Sequence, residues 1–301
     1  MRIFVTGASG FVGKAIVQEL LSAGHTVLAL ARSDDAAKTL TTLGAEVHKG
    51  SLADLEALKE CAAASDAVIH LAFIHDFANY AAAVETDKAA IGALASGLEG
   101  SDRPLIMTSG TMLLPYGRVG TEDDAHEPQP GPLSVRGQSE EFAKRLAKER
   151  NIRVAVMRLA PVVHGDGDKM FIPILISTAR EKGVSAYVGE GANRWPAVHL
   201  QDAAVAYRLT VERKVAAGSI LHAIAEGGVH MKDIAAVIGQ KLGVPVVSIR
   251  EDKAAEHFGW IGFVVGIDNL VSSEQTKKVL AWTPVHRELL DDMRNGKYFT
   301  E

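Results

Sequence analysis

The sequence predicts an α/β fold, a doubly wound parallel sheet followed by a smaller C-terminal α/β lobe. Three observations predict it. Short apolar runs alternate with stretches of helical spacing through the first half of the 301-residue chain. Those runs are apolar at successive positions, as expected of strands covered on both faces. A glycine-rich turn, Thr6-Gly7-Ala8-Ser9-Gly10-Phe11-Val12-Gly13, joins the first run to the first helix.

The elements follow in order. Ile3-Phe4-Val5 is the first strand, and Phe11 to Leu21 a helix that Gly24-His25 ends. Thr26 to Ala31 is the second strand, followed by a helix over Asp34 to Leu43, with Asp34 and Asp35 read as its cap. Glu46 to Lys49 is a third, weaker strand, and Asp54 caps a helix running through Ala63. Ala67 to Leu71 is the fourth strand, Asn79 to Leu98 a long helix and Pro104 to Thr108 the fifth strand. Ser134 to Arg150 reads as a helix and Ile152 to Arg158 as the sixth strand. Between them, the Gly-, Pro- and acid-rich stretch from Gly110 to Pro132 is a long loop at the strand ends, where function concentrates. Right-handed crossovers turn this order into a Rossmann sheet. The rhythm changes near Asp168, which divides the chain into a nucleotide-binding domain (1–168) and a smaller substrate lobe (169–301) interleaved with it.

Composition narrows the function. A net charge of -5 with Lys and Arg scattered among acids gives no basic stripe for nucleic acid. The longest apolar candidate, around Trp260 to Ile267, is short of the roughly 18 residues a membrane span needs. One cysteine, Cys61, excludes an internal disulfide and fits a cytoplasmic protein. The histidines lack metal-ligand spacing, so no metal is expected.

Each glycine of the turn has a physical task. Gly7 lets the chain leave the strand sharply, Gly10 lets backbone approach a pyrophosphate, and Gly13 lets helix and sheet pack closely. Open N–H groups at the helix start hold phosphate oxygens. Gly7, Ser9, Gly10, Phe11, Val12 and Gly13 are therefore candidate dinucleotide contacts. A site for NAD usually places an acid at the end of the second strand; this chain has Arg32 followed by Ser33. A guanidinium suits a 2′-phosphate, so NADP is expected over NAD. The plain alternative is a surface arginine.

Taken with their neighbours, these residues resemble the extended or atypical short-chain dehydrogenase/reductases of the NAD(P)-dependent epimerase/dehydratase group, over nearly the whole chain. Gly50-Ser51-Leu52-Ala53-Asp54 resembles the family's G-D-L-x-D, with Ser51 where the adenine-binding acid stands. His70-Leu71-Ala72 resembles the H-x-A segment that lines the cofactor, and Tyr116-Gly117 the Y-G after the catalytic Ser/Thr region. Arg158 to Gly165 resembles the R-x-x-x-V-x-G segment over the nicotinamide; Val198 to Ala204 and Leu280 to Pro284 resemble V-H-V-x-D-x-A and L-G-W-x-P. The resemblance implies that Ser51, Leu52, Leu71, Ala72, Phe73, Thr108, Pro161 and Val163 also face the cofactor, and that the protein is a homodimer.

The departures bear on chemistry. The family's general acid is the tyrosine of Y-x-x-x-K, and none of the five tyrosines here has lysine four positions on. Aligning Arg136 and Glu140 with K-x-x-x-E puts Pro132 at the tyrosine; a shifted alignment puts Arg136 there. Arg136 is a candidate fixed charge near ribose or substrate oxygen, and it donates hydrogen bonds without releasing a proton. Ser109 or Thr111 is a candidate to polarise a carbonyl, and Tyr116, His164 and His75 are candidate proton donors; His199 and Asp202 read as structural ties between lobes. Phe73, Ile74, Phe77, Met112, Leu113, Leu114, Phe171 and Trp195 either line an apolar substrate pocket or pack the lobes together. Three functions remain: an NADP-dependent reductase of a small hydrophobic carbonyl compound, a non-catalytic NADP-binding sensor or scaffold, and a nucleotide-sugar epimerase or dehydratase.

Overall fold

The computed structural model describes residues 1–76, 79–127, 133, 135–150 and 152–300. Phe77, Pro132 and Ser134 lie outside these described residues. The first half runs β1 (Arg2–Thr6), α1 (Phe11–Ser22), β2 (Thr26–Ala31), α2 (Asp34–Thr42), β3 (Glu46–Lys49), α3 (Leu55–Ala63), β4 (Ala67–His70), α4 (Tyr80–Leu98), β5 (Pro104–Gly110), α5 (Gly137–Glu149) and β6 (Arg153–Leu159). The rest comprises β7 (Val162–His164), α6 (Phe171–Lys182), β8 (Ser185–Val188), β9 (Arg194–His199), α7 (Leu200–Glu212), β10 (Ile220–Ala223), β11 (Glu226–His230) and α8 (Met231–Leu242). It closes with β12 (Val246–Ile249), α9 (Ala254–Phe258), α10 (Gly262–Val265), α11 (Glu274–Leu280) and α12 (Leu289–Asn295).

Among the described residues, seven strands form a sheet in the order β10-β6-β5-β4-β1-β2-β3, with parallel pairing throughout. The strand order reverses between β1 and β4, and an open parallel sheet offers a crevice for a ligand at such a switch point. Continuous burial of the central strands explains their uninterrupted apolar runs. Ile3, Val5 and Ile106 face a core shared with α1 and α7; Phe4, Val68 and Met107 face one shared with α3, α4 and α5.

The seventh strand, β10, comes from the second half of the chain, and α7 returns to pack against α1. α7, which falls in the 169–301 stretch read as the smaller lobe, therefore covers the large sheet. What remains of that lobe, with the sheets β11-β9-β7 and β12-β8, surrounds a separate core that includes Ile172, Trp195, Ile234 and Phe258.

Local readings shift in two places. Ser33, not Asp34 or Asp35, caps α2, its hydroxyl accepting from the Ala36 N–H at 3.2 Å, because its backbone is still extended (φ −130°, ψ 162°) while both aspartates are already helical. Asp54 occupies the cap position of α3, but its carboxylate accepts from the Ser51 N–H (2.7 Å) and hydroxyl (3.0 Å) and so closes the turn before the helix. The long loop after β5 is docked on the second half of the chain. Gly120 and Leu270 share a 2.8 Å backbone bond, and Glu122 accepts from the Thr276 N–H and hydroxyl.

Candidate functional site

The glycine turn leaves β1 beside the switch point. Gly7 has φ +70°, and a Cβ there would lie 2.7 Å from the Ala72 nitrogen. A Cβ at Gly13 would lie 2.1 Å from the Gly7 carbonyl oxygen, so only glycine lets α1 start against the turn. Gly10 caps α1 without a side chain, leaving the first N–H groups uncovered by the protein's own caps. Ser9 and Gly10 are exposed, and Phe11 and Val12 half-buried, along the same rim. The turn is thus a cradle that a Cβ would fill, which fits a pyrophosphate.

At the end of β2, Arg32 is exposed and has no hydrogen bond or ion pair among the described residues. Its acidic neighbour Asp34 is paired with Lys49. Ser51 and Leu52 are half-buried after β3, with the Ser51 hydroxyl committed to Asp54.

Across the switch point a hydrogen-bonded chain joins four elements. The Ala72 N–H donates to the Thr6 hydroxyl oxygen at 3.3 Å, and that hydroxyl lies 2.7 Å from His70 Nδ1. His70 Nε2 lies 3.0 Å from Asp87 Oδ1, and Arg136 Nη1 donates to Asp87 Oδ2 at 2.8 Å. Arg136 Nη2 donates to the Thr108 carbonyl at 2.7 Å, and the guanidinium stands 4.1 Å over the Phe73 ring. Every member finds a partner when Thr6 O–H and His70 Nε2–H are the donors, which assigns the histidine tautomer. Burial pushes the Asp87 carboxyl up, but the His70 hydrogen bond and the Arg136 charge outweigh it and hold the group below its ordinary range. Arg136 is therefore a fixed cation, half-buried just ahead of α5 at the C-terminal ends of β4 and β5.

The hydroxyls expected near the substrate separate. Thr111 is fully buried and donates to Asn269 Oδ1 at 3.0 Å. Ser109 is buried, and its oxygen has no partner among the described residues. Thr108 remains half-buried at the strand end, its hydroxyl 2.7 Å from that of Tyr207 on α7. Tyr116 donates to the Met112 carbonyl at 2.8 Å, and burial pushes its phenol up to about 12.

Pro161 and Val163 are half-buried beside β7, and His164 is fully buried at its end. His164 Nδ1 lies 2.9 Å from Asp292 Oδ2 on α12, and its Nε2 has no partner among the described residues. Burial lowers the imidazole's pKa more than Asp292 raises it. His164, His199 and Asp292 bring donor atoms within 4.8 Å of one another, a convergence of β7, the start of α7 and α12 that no sequence spacing signals. Within the protein, His164 Nδ1 pairs with Asp292 and His199 Nδ1 accepts from the Gln201 N–H at 3.4 Å. Asp202 accepts from the Val285 and His286 N–H groups, tying α7 to the C-terminal segment.

The apolar candidates divide as well. Leu113, Leu114 and Trp195 are buried in the cores, whereas Ile74 is exposed and Phe73 carries Arg136. Phe171 packs edge-on against Trp195 with ring centres 5.0 Å apart. A separate cavity, lined by Leu175, Ala179, Ile234, Ile238 and Phe258, lies inside the second core rather than at the ends of the large sheet.

Asp87 and Tyr207 are the participants that motif reading missed; His70 was read only as part of the H-x-A segment, without its bond to Asp87. For Asp87 a signal was present: it interrupts an otherwise apolar stripe of α4 that includes Tyr80, Ala83, Val84, Ala90, Ile91 and Leu94.

Residues 3–222 match the family described as NAD dependent epimerase/dehydratase family. An uncharacterized protein of Schizosaccharomyces pombe is 45% identical over 300 residues, covering 99% of this chain and 100% of its own. A 2-alkyl-3-oxoalkanoate reductase of Stenotrophomonas maltophilia is 28% identical over 234 residues, covering 70% of this chain and 66% of its own. Among solved structures, the dTDP-glucose 4,6-dehydratase DesIV of Streptomyces venezuelae, with NAD and TYD bound, superposes with a TM-score of 0.78 at 18% identity over 99% of this chain and 97% of that one.

Proposed function

The chain belongs to the NAD dependent epimerase/dehydratase family, and from that premise we propose that it is an NADP-dependent reductase of a small hydrophobic carbonyl compound. The observation that carries this reading is Arg136, a guanidinium fixed by Asp87 and the Thr108 carbonyl where the usual tyrosine–lysine pair is absent. The S. maltophilia relative, named as a reductase of an oxoalkanoate, supports the reaction class.

The residues fit a dinucleotide. Gly7, Gly10 and Gly13 form the cradle for its pyrophosphate, and the exposed Arg32, without a partner among the described residues, would meet a 2′-phosphate. Phe73, Leu71 and Ala72 would flank the cofactor beyond β4. Bound NADPH supplies the hydride for a carbonyl carbon. Arg136 stays protonated and stabilises the negative charge that develops on the oxygen, and Asp87 keeps its guanidinium from reorienting. We place the protein in the cytoplasm, as a homodimer; no helix of the described residues is long and apolar enough to cross a membrane.

The test is a paired fluorescence titration with NADPH and NADH, followed by a panel of ketones that includes a 2-alkyl-3-oxo ester. Much tighter NADPH binding with NADPH oxidation by a panel member is the expected result. Equal or absent binding of both cofactors would overturn the NADP reading. The missing tyrosine–lysine pair favours a second reading, a catalytically silent NADP sensor, which predicts tight NADPH binding and no turnover.

A further inference from the structure

We propose that Tyr207 is a positioning residue that makes the Thr108 hydroxyl the hydrogen-bond donor to the substrate oxygen, in place of the tyrosine the chain lacks. The inference rests on the reductase reading above.

Tyr207 lies on α7 and is fully buried. Its hydroxyl is 2.7 Å from Thr108 Oγ1 and has no other acceptor among the described residues. A phenolic hydrogen sealed from water costs about 1–3 kcal/mol if left unbonded, so Tyr207 donates and Thr108 accepts. Burial pushes the Tyr207 phenol above its ordinary range, so it keeps the proton that fixes this direction.

With its oxygen receiving the Tyr207 hydrogen, Thr108 must direct its own hydrogen elsewhere. No acceptor for it exists among the described residues, and Thr108 is half-buried at the C-terminal end of β5. Arg136 grips the carbonyl of the same residue at 2.7 Å, so Thr108 is held at both backbone and side chain. Of the neighbouring hydroxyls, Thr111 serves Asn269 and Tyr116 serves the Met112 carbonyl, while Ser109, without a partner among the described residues, is more deeply buried than Thr108 at the strand end. Thr108 and Arg136 thus present a neutral and a charged donor from one strand end, an arrangement suited to an oxygen that gains charge.

The atoms balance without a new participant. Reduction forms a C–H bond with the hydride of NADPH and an O–H bond with a proton from water. Thr108 lends a hydrogen bond and keeps its proton.

Two measurements test the proposal. The first needs no turnover: the Raman Fermi doublet of Tyr207, isolated by subtracting the Tyr207→Phe spectrum, distinguishes a donating from an accepting phenol. A donor signature that Thr108→Val abolishes is expected; an acceptor signature overturns the proposal. The second uses the ketone that the wild type reduces fastest. Thr108→Val should lower kcat on the order of 100-fold, the loss typical of one such donor. Thr108→Ser should stay within a few-fold, and Tyr207→Phe should lower kcat about 10-fold with KM for NADPH unchanged. Wild-type rates in Thr108→Val or Tyr207→Phe overturn the proposal and leave the reductase reading intact. A wild type that reduces no ketone sinks that reading, while the Raman result still decides the direction of the hydrogen bond.

Discussion

Asp87 Oδ2 accepts a 2.8 Å hydrogen bond from Arg136 Nη1, with the Asp87 side chain sealed from solvent and that of Arg136 only 11% exposed. Their Coulomb attraction is weighed against a desolvation cost of several kcal/mol per ion, so each depends on the other. Asp87→Ala leaves Arg136 without its counter-charge and His70 without its acceptor. A loss of about 3 kcal/mol is expected, at the lower end for buried pairs because Arg136 reaches some solvent. Urea denaturation of Asp87→Ala, Arg136→Ala and the double variant measures it. The double variant should be less damaged than the sum of the singles; strict additivity would show that the pair is not coupled.

Among the described residues Arg32 has no partner at the end of β2, while Lys49 occupies Asp34. A charge-assisted contact to a 2′-phosphate is worth about 1.5–3 kcal/mol, or roughly 10- to 100-fold in Kd. Arg32→Ala should therefore weaken NADPH by that factor and leave NADH nearly unchanged. Fluorescence titration with both cofactors reads the contrast, and an equal loss for the two would remove Arg32 from the 2′-phosphate.

How much of this was legible depends on whether the signal is local. The strand–turn–helix around Gly7, Gly10 and Gly13 is contiguous, so its sequence states its geometry. The six leading strands were legible for the same reason. The contacts that shape the candidate site are not contiguous. Thr108 meets Tyr207 across 99 positions, and Thr111 meets Asn269 across 158. No spacing rule reports such pairs, so Thr111 read as available although the fold uses its hydroxyl. The helix Leu200–Glu212 falls in the stretch read as the smaller lobe, but its packing on α1 follows from β10 rejoining the sheet. That edge pairing leaves little local trace in a four-residue strand.

Gly13 and Gly10 differ in what a methyl group would meet, and the cradle should respond accordingly. A Cβ at Gly13 falls 2.1 Å from the Gly7 carbonyl oxygen, backbone that cannot swing away, whereas at Gly10 the same atom is 3.2 Å distant. Gly13→Ala must push α1 off the turn and misplace its leading N–H groups. NADPH binding should fall by more than about 100-fold, equivalent to roughly 3 kcal/mol. Gly10→Ala, which needs only a few tenths of an ångström, should retain measurable binding. Comparable binding by wild type and Gly13→Ala would mean that the turn does not hold the pyrophosphate.

His164 and His222 are buried imidazoles whose pKa values burial lowers, against the pull of Asp292 in one case and of the Ser272 carbonyl in the other. Unfolded imidazoles titrate near about 6.5. Between that value and the lower folded one, the unfolded chain binds protons that the folded chain refuses, so stability is full above about pH 6.5 and declines as pH falls through the folded value. Asp87, held below its ordinary range, adds a loss only in more acidic solution, below about pH 4. Thermal unfolding should therefore show Tm dropping already between pH 7 and pH 5.5, well before carboxylates protonate. His164→Asn, which keeps an amide donor for Asp292 but cannot titrate, should flatten part of that drop. A Tm that stays level to pH 5 and falls only with the carboxylates would show that these histidines do not limit stability.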